Sequence, residues 1–150
     1  MNPFRTVPAL TEHAARAMLD AALAAAERSG IPSSIAVVDA GGHLTAFARM
    51  DGAPVITVQV ATDKAYTAAG FGLSTAAWHE MLERDAPLAL GVPAQIQRIV
   101  TFGGGLPITA GRQTVGGIGV SGGHWSDDER IASAGLAAIA HSALEGQAGS

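Results

Sequence analysis

The chain contains no cysteine in its 150 residues, which excludes disulfides, thiolate nucleophiles and Cys-ligated metal. Aromatic residues make up only 5% and charged residues 15%, and Lys and Arg nowhere form a run. With a formal charge of −4, this argues against nucleic acid or an anionic membrane surface as a partner. No apolar stretch reaches the length of a membrane span. The opening "MNPFRTVPAL" is too short and too broken by proline for a signal-peptide core. A soluble, cytoplasmic protein is expected. What the chain does have is small residues, with 19 glycines inside a composition that is 48% hydrophobic. That suffices for a buried core, and one domain is expected over 1–150, its core from about 10 to 145. A mean hydropathy of +0.27 in so short a chain points to apolar surface left for subunit contacts, hence a homo-oligomer.

"TEHAARAMLDAALAAAERSG" reads as a first helix, with Thr11 as N-cap, Gly30 just past its end and Pro32 blocking continuation. "SSIAVVDAGGHLTAFARMD" reads as a hairpin turning at Ala40-Gly41-Gly42. Its first strand is apolar on both faces, so the sheet should be covered on both sides. A helix is expected from about Thr57 to Ala69, because Val58, Ala61, Ala65 and Ala68 recur at helical spacing. A shorter helix follows, capped by Ser74 or Thr75, and "VPAQIQRIV" is left open, a helical turn being one reading. A second hairpin turns at Ala110-Gly111-Arg112. The last helix starts near Ser126, which has capping-box spacing to Glu129, and frays at Gly146.

Four constellations could carry function. Nine glycines crowd residues 102 to 129. Gly103, Gly104 and Gly105, ahead of Leu106 and Pro107, could present backbone N–H groups to an anion, or could simply turn the chain into an edge strand. In "GGIGVSGG", Gly117, Gly119 and Ser121 share one strand face that has no bulk. Either a closely packed helix or a flat ligand must fill it. In "HWSDDE", Asp127, Asp128 and Glu129 suit the first turn of a helix, while His124 and Trp125 sit in a loop that could carry function. Finally, Asp39 ends an apolar strand and needs a partner; Arg49 on the paired strand is the candidate, with Asp51 nearby. Lys64 approaches from the shoulder of a helix, where burial would lower its pKa and suit it to act as a base or imine-former. The histidines at 13, 43, 79, 124 and 141 show no zinc-ligand spacing.

"GIPSSIAVVDAGGHLTAFARMDGA", "ATDKAYTAAGFGLST", "FGGGLPI" and "VGGIGVSGG…DDERIASAGL" together resemble the GlcG/HbpS-like haem-binding family, which includes the carboxy-terminal domain of PduO-type proteins. The resemblance runs from about Leu10 to Ile139. It implies an α/β (α+β) fold of profilin-like type, a three-layer sandwich with a central antiparallel sheet between helices. It also implies homo-oligomers. The family's recurring positions fall on Asp39, Gly41, Gly42, Arg49, Asp51, Lys64, Gly103 to Pro107, Gly119 to Gly123, and Asp128 or Glu129. These would meet at one pocket, Ser121 among them, with His124, Trp125 and the acids that follow at its mouth. Haem ligands are not part of the shared blocks; His124 and His13 are the candidates. Haem is accordingly the expected cofactor. The alternative is a small enzyme of lyase or isomerase type acting on a hydroxy or oxo acid. In it Arg49 or the glycine loop holds the anion, and Asp39, Lys64 or His124 moves a proton. A third possibility is a structural or regulatory oligomer whose glycines serve packing alone.

Overall fold

In the computed structural model the backbone is described for residues 1–147 and the side chains for residues 1–140. Helix α1 (Glu12–Ser29) begins where Thr11 Oγ1 accepts the Ala14 N–H at 3.1 Å, and ends at Gly30, whose φ of 67° lets its N–H reach the Ala26 and Glu27 carbonyls. Strands β1 (Ser34–Asp39) and β2 (Leu44–Arg49) form the first hairpin. Helix α2 (Ile56–Phe71) follows, with the expected helical period prevailing over its β-branched opening. Next come α3 (Thr75–Glu83), capped by Ser74, and α4 (Ala86–Gln95), capped by Asp85. Helix α4 ends inside residues 92–100, the segment left open with a helical turn as one reading, and its start at Ala86 was not expected. Gly91 and Pro93 obscure it; Pro93 lies inside the helix, where it removes one hydrogen bond and crowds the carbonyl four residues back. Strands β3 (Gly105–Ala110) and β4 (Gln113–Ser121) form the second hairpin, turning through Gly111 at φ 60°. Helix α5 (Trp125–Gln147) closes the chain and passes straight through Gly146, where fraying was expected.

The four strands form one antiparallel sheet in the order β2-β1-β4-β3. β1 and β4 are central and almost wholly buried. Alternation along β1 sends Ile35 and Val37 to one side and Ala36 and Val38 to the other. The first side packs against α1 and α5 through Ala15, Met18, Ala22, Ile131 and Ala132. The second packs against Ala61, Ala65 and Ala69, which follow one another at four-residue spacing on α2. The result is the expected α+β arrangement of three layers. Among the described residues, no helix is long and apolar enough to cross a membrane.

The bare face of β4 is where the two expectations part. A methyl group built on Gly117 would run into the Ala65 carbonyl oxygen, and one on Gly119 into the Ala61 carbonyl oxygen. A closely packed helix therefore fills that face, and a flat ligand does not lie on the strand. Small residues on both partners, alanine on α2 and glycine on β4, bring the two backbones together.

Gly119→Ala should therefore destabilise the protein by about 1–3 kcal/mol, as overpacking does. Gly70→Ala on α2, where an added methyl meets nothing within 4 Å, should stabilise it by about 0.5–1 kcal/mol. Urea unfolding of the two variants checks both signs.

Candidate functional site

Helix α2 carries Lys64 on the side turned to the sheet, where close packing leaves its side chain 0% exposed. An ammonium with no access to water needs internal acceptors. Its Nζ donates to the Val120 carbonyl at the end of β4 and to Asp128 Oδ2 in the first turn of α5, both at 2.9 Å. The Phe102 ring lies over it, 5.0 Å from Nζ to centroid. Burial pushes the Lys64 ammonium below its ordinary pKa, and the hydrogen bond and charge of Asp128 pull it back up.

The triple glycine runs past this point, close against Trp125, Lys64 and Thr75. An added Cβ on Gly103 would lie 2.7 Å from Trp125 Cε3, one on Gly104 2.6 Å from Lys64 Nζ, and one on Gly105 2.5 Å from the Lys64 carbonyl oxygen and 2.7 Å from Thr75 Cγ2. Gly104, at φ 121°, also accepts the Val120 N–H through its carbonyl, and the Gly105 N–H donates to Thr75 Oγ1 at 2.9 Å. The loop is thus a seam where α2, α3 and α5 converge. Its Gly105 donor is spent inside the fold rather than offered to an anion.

Beside the seam opens a cleft of about 240 Å³, lined by Phe102 and Gly103, by Trp125 and Glu129 of α5, and by Ala76, His79 and Glu80 of α3. Two aromatic rings and an imidazole face it, with two carboxylates among its lining residues. His79 Nε2 lies 3.1 Å from Glu83 Oε1, one turn on along α3, an exposed ion-pair contact. His124 is placed differently. Its Nδ1 accepts the Ser126 N–H at 3.2 Å and meets Ser126 Oγ at 2.8 Å, while its carbonyl accepts the N–H groups of Asp127 and Asp128. His124 therefore caps α5, which begins at Trp125. The expected Ser126–Glu129 capping box is replaced: Ser126 bonds the imidazole and Glu129 lines the cleft. Asp127 pairs with Arg130 one turn on. Asp128, expected as a helix-capping acid, is buried and spends both oxygens, Oδ1 on the Gly123 N–H and Oδ2 on Lys64.

Other candidates lie apart. Asp39 does not pair with Arg49, because the antiparallel register puts Arg49 opposite Ser34, at the other end of β1. Asp39 instead bonds the N–H groups of Gly41 and His43 and, at 3.2 Å, His43 Nδ1. Arg49 donates to the Ala53 carbonyl, and Asp51 sits exposed in the turn between them. Asp39 pairs with Gly116, four residues along β4 from Val120, or ~13 Å at the usual rise per residue. Asp39 and Lys64 therefore share no site, and an acid–base trio of Asp39, Lys64 and His124 is not assembled within the chain. Ser121 is buried opposite Ser34, and Leu106 joins the core on the α1–α5 side. His13 is exposed near the start of α1. Among the described residues, no group of three or more His, Cys, Asp or Glu could hold a metal ion.

His79 and the role of Phe102 escaped the sequence reading. His79 stood among five histidines with nothing nearby in the chain to single it out. Phe102 had one signal, an aromatic ring immediately before three glycines.

A family model described as "Haem degrading protein HbpS-like" matches residues 10–137. The chain belongs to this family. It is 36% identical over 139 residues to a 15.0 kDa protein of the dhaT-dhaS intergenic region of Citrobacter freundii, covering 91% of this chain and 96% of that protein. It is 33% identical to the corrinoid adenosyltransferase PduO of Salmonella typhimurium, but spans only 40% of its length. Among solved structures, a double mutant of Streptomyces reticuli HbpS superposes with a TM-score of 0.81 at 35% identity, covering 89% of each chain. A complex of PduOC with haem superposes at 0.80 and 31% identity, covering 87% of this chain and 95% of that one. The HbpS-like fold thus embraces both hairpins, α2 and the glycine seam.

The Asp39 carboxyl is held below its ordinary pKa chiefly by the His43 N–H, which works against desolvation with help from the Gly41 N–H and the His43 ring. A carboxyl lowered on folding adds stability above the ordinary aspartate range, and loses it as pH falls through the lower folded value. Asp39→Asn should therefore lower Tm at neutral pH, and the gap should close on acidification through that window. Thermal melts at a series of pH values read this directly.

Proposed function

We propose that this HbpS-like chain binds haem, with one edge of the macrocycle seated in the cleft between α3, the glycine seam and α5. The observation that carries the reading is the cleft itself. The rings of Phe102 and Trp125 offer flat apolar contact, and His79 offers an imidazole, the commonest side chain to hold a metal. A haem complex of a relative at 31% identity supports the choice of ligand. At about 240 Å³ the cleft is smaller than a site enclosing a whole ligand of this size, so only part of the ring would enter. Glu80 and Glu129 would disfavour anionic haem substituents inside the cleft. Bound haem would supply an iron centre whose reactivity its axial ligand tunes. His79 would hold the iron, and Phe102 and Trp125 would orient the ring and exclude water.

The protein further acts, on this reading, as a homo-oligomer in the cytoplasm. Val55, Ile56 and Leu90 remain 73%, 61% and 79% exposed, and a second copy would cover such surface.

Haemin titration followed at the Soret band tests the proposal. The band should saturate, weaken by about tenfold or more in His79→Ala, and persist in His124→Ala. The His79 side chain is 55% exposed, so its removal leaves the fold intact. A non-saturating band would refute haem binding. A band lost in His13→Ala but kept in His79→Ala would move the site to the start of α1.

A further inference from the structure

We infer that the Lys64–Asp128 ion pair is the positioning device of the cleft, setting the wall that carries Trp125 against the wall that carries Phe102. Only the ligand-binding arm of its test rests on the haem reading; the geometry stands on its own. A buried ion pair is a poor way to gain stability, since well-packed apolar residues of similar volume often do as well or better. What it adds is direction, and here every direction leads to a wall. Asp128 Oδ1 holds the Gly123 N–H at 3.0 Å, and Gly123 leads directly into His124 and Trp125. Asp128 Oδ2 holds Lys64, and Lys64 holds the Val120 carbonyl, while Val120 N–H binds Gly104 in the loop that follows Phe102. The Phe102 ring rests on the ammonium. The third wall joins through Thr75, at the start of α3, which bonds Gly105. One buried charge pair thus links helix, loop and strand around a cleft that neither Lys64 nor Asp128 lines. Both are positioning residues that act through Phe102 and Trp125.

The test separates position from stability. The chain has two tryptophans, so Trp78→Phe leaves Trp125 as the sole reporter. In that background, Lys64→Met/Asp128→Leu replaces the pair by apolar side chains. The expected result is a Tm near that of the parent, with Trp125 more accessible to acrylamide quenching and haemin binding weaker by about tenfold. Recovery of stability together with parental quenching would overturn the inference, because the pair would then serve packing alone. If the double variant does not fold, Asp128→Asn carries the test, and unchanged Trp125 quenching in it overturns the inference equally. The quenching arm needs no ligand. If the parent fails to bind haemin while Trp125 still answers to the pair, the haem reading fails and the positioning role stands.

Discussion

A charged amine with no contact to water must find its partners inside the protein, and the Lys64 ammonium is that amine. Its acceptors come from two distant parts of the chain, the end of β4 and the first turn of α5. In the folded chain both are in place around the buried ammonium. Removing one member would strand the other charge in a site built to exclude solvent, so the pair enforces the meeting of three elements. The seam, the α5 start and the cleft walls all take their places from that demand.

Close approach makes the burial possible. Helix α2 meets β4 across alanines and glycines, with no side chain between the Ala61 and Ala65 carbonyls and the strand. That intimacy carries Lys64 to the depth of the sheet. Glycine gives up stability in a strand interior, and here the loss is offset by helix–sheet contact that no larger residue allows. The same reasoning covers the triple glycine, where each missing side chain makes room for Lys64, Thr75 or Trp125. Haem binding, as proposed, then falls to the residues that this packing leaves at the surface, Phe102, Trp125 and His79.

Much of this was legible in the chain. Thr11 and Gly30 bounded α1, the two glycine turns marked the hairpins, and the doubly apolar β1 required helices on both sides of the sheet. Lys64, Asp128, the glycine loop and Trp125 were all singled out, and they meet. Asp39 was misassigned because hairpin register decides which residue it faces, and a turn fixes that register only through its own geometry. Helix α4 was hidden by Gly91 and Pro93. Local spacing made Asp128 a capping acid, and only the family resemblance put it in a pocket with Lys64, because spacing cannot distinguish a carboxylate facing water from one facing a buried amine 64 residues away in sequence.

The sequence by itself determined the local and periodic features. It placed the caps, the turns, the face of α2 that must be buried and the absence of bulk along one face of β4. These follow from φ preferences and side-chain period, which act over a few residues. Only the tertiary structure decided what fills the glycine face, which acid answers Lys64 and which histidine lines the cleft. Those are contacts between residues far apart in the chain, and their partners are set by how helices and strands pack in three dimensions.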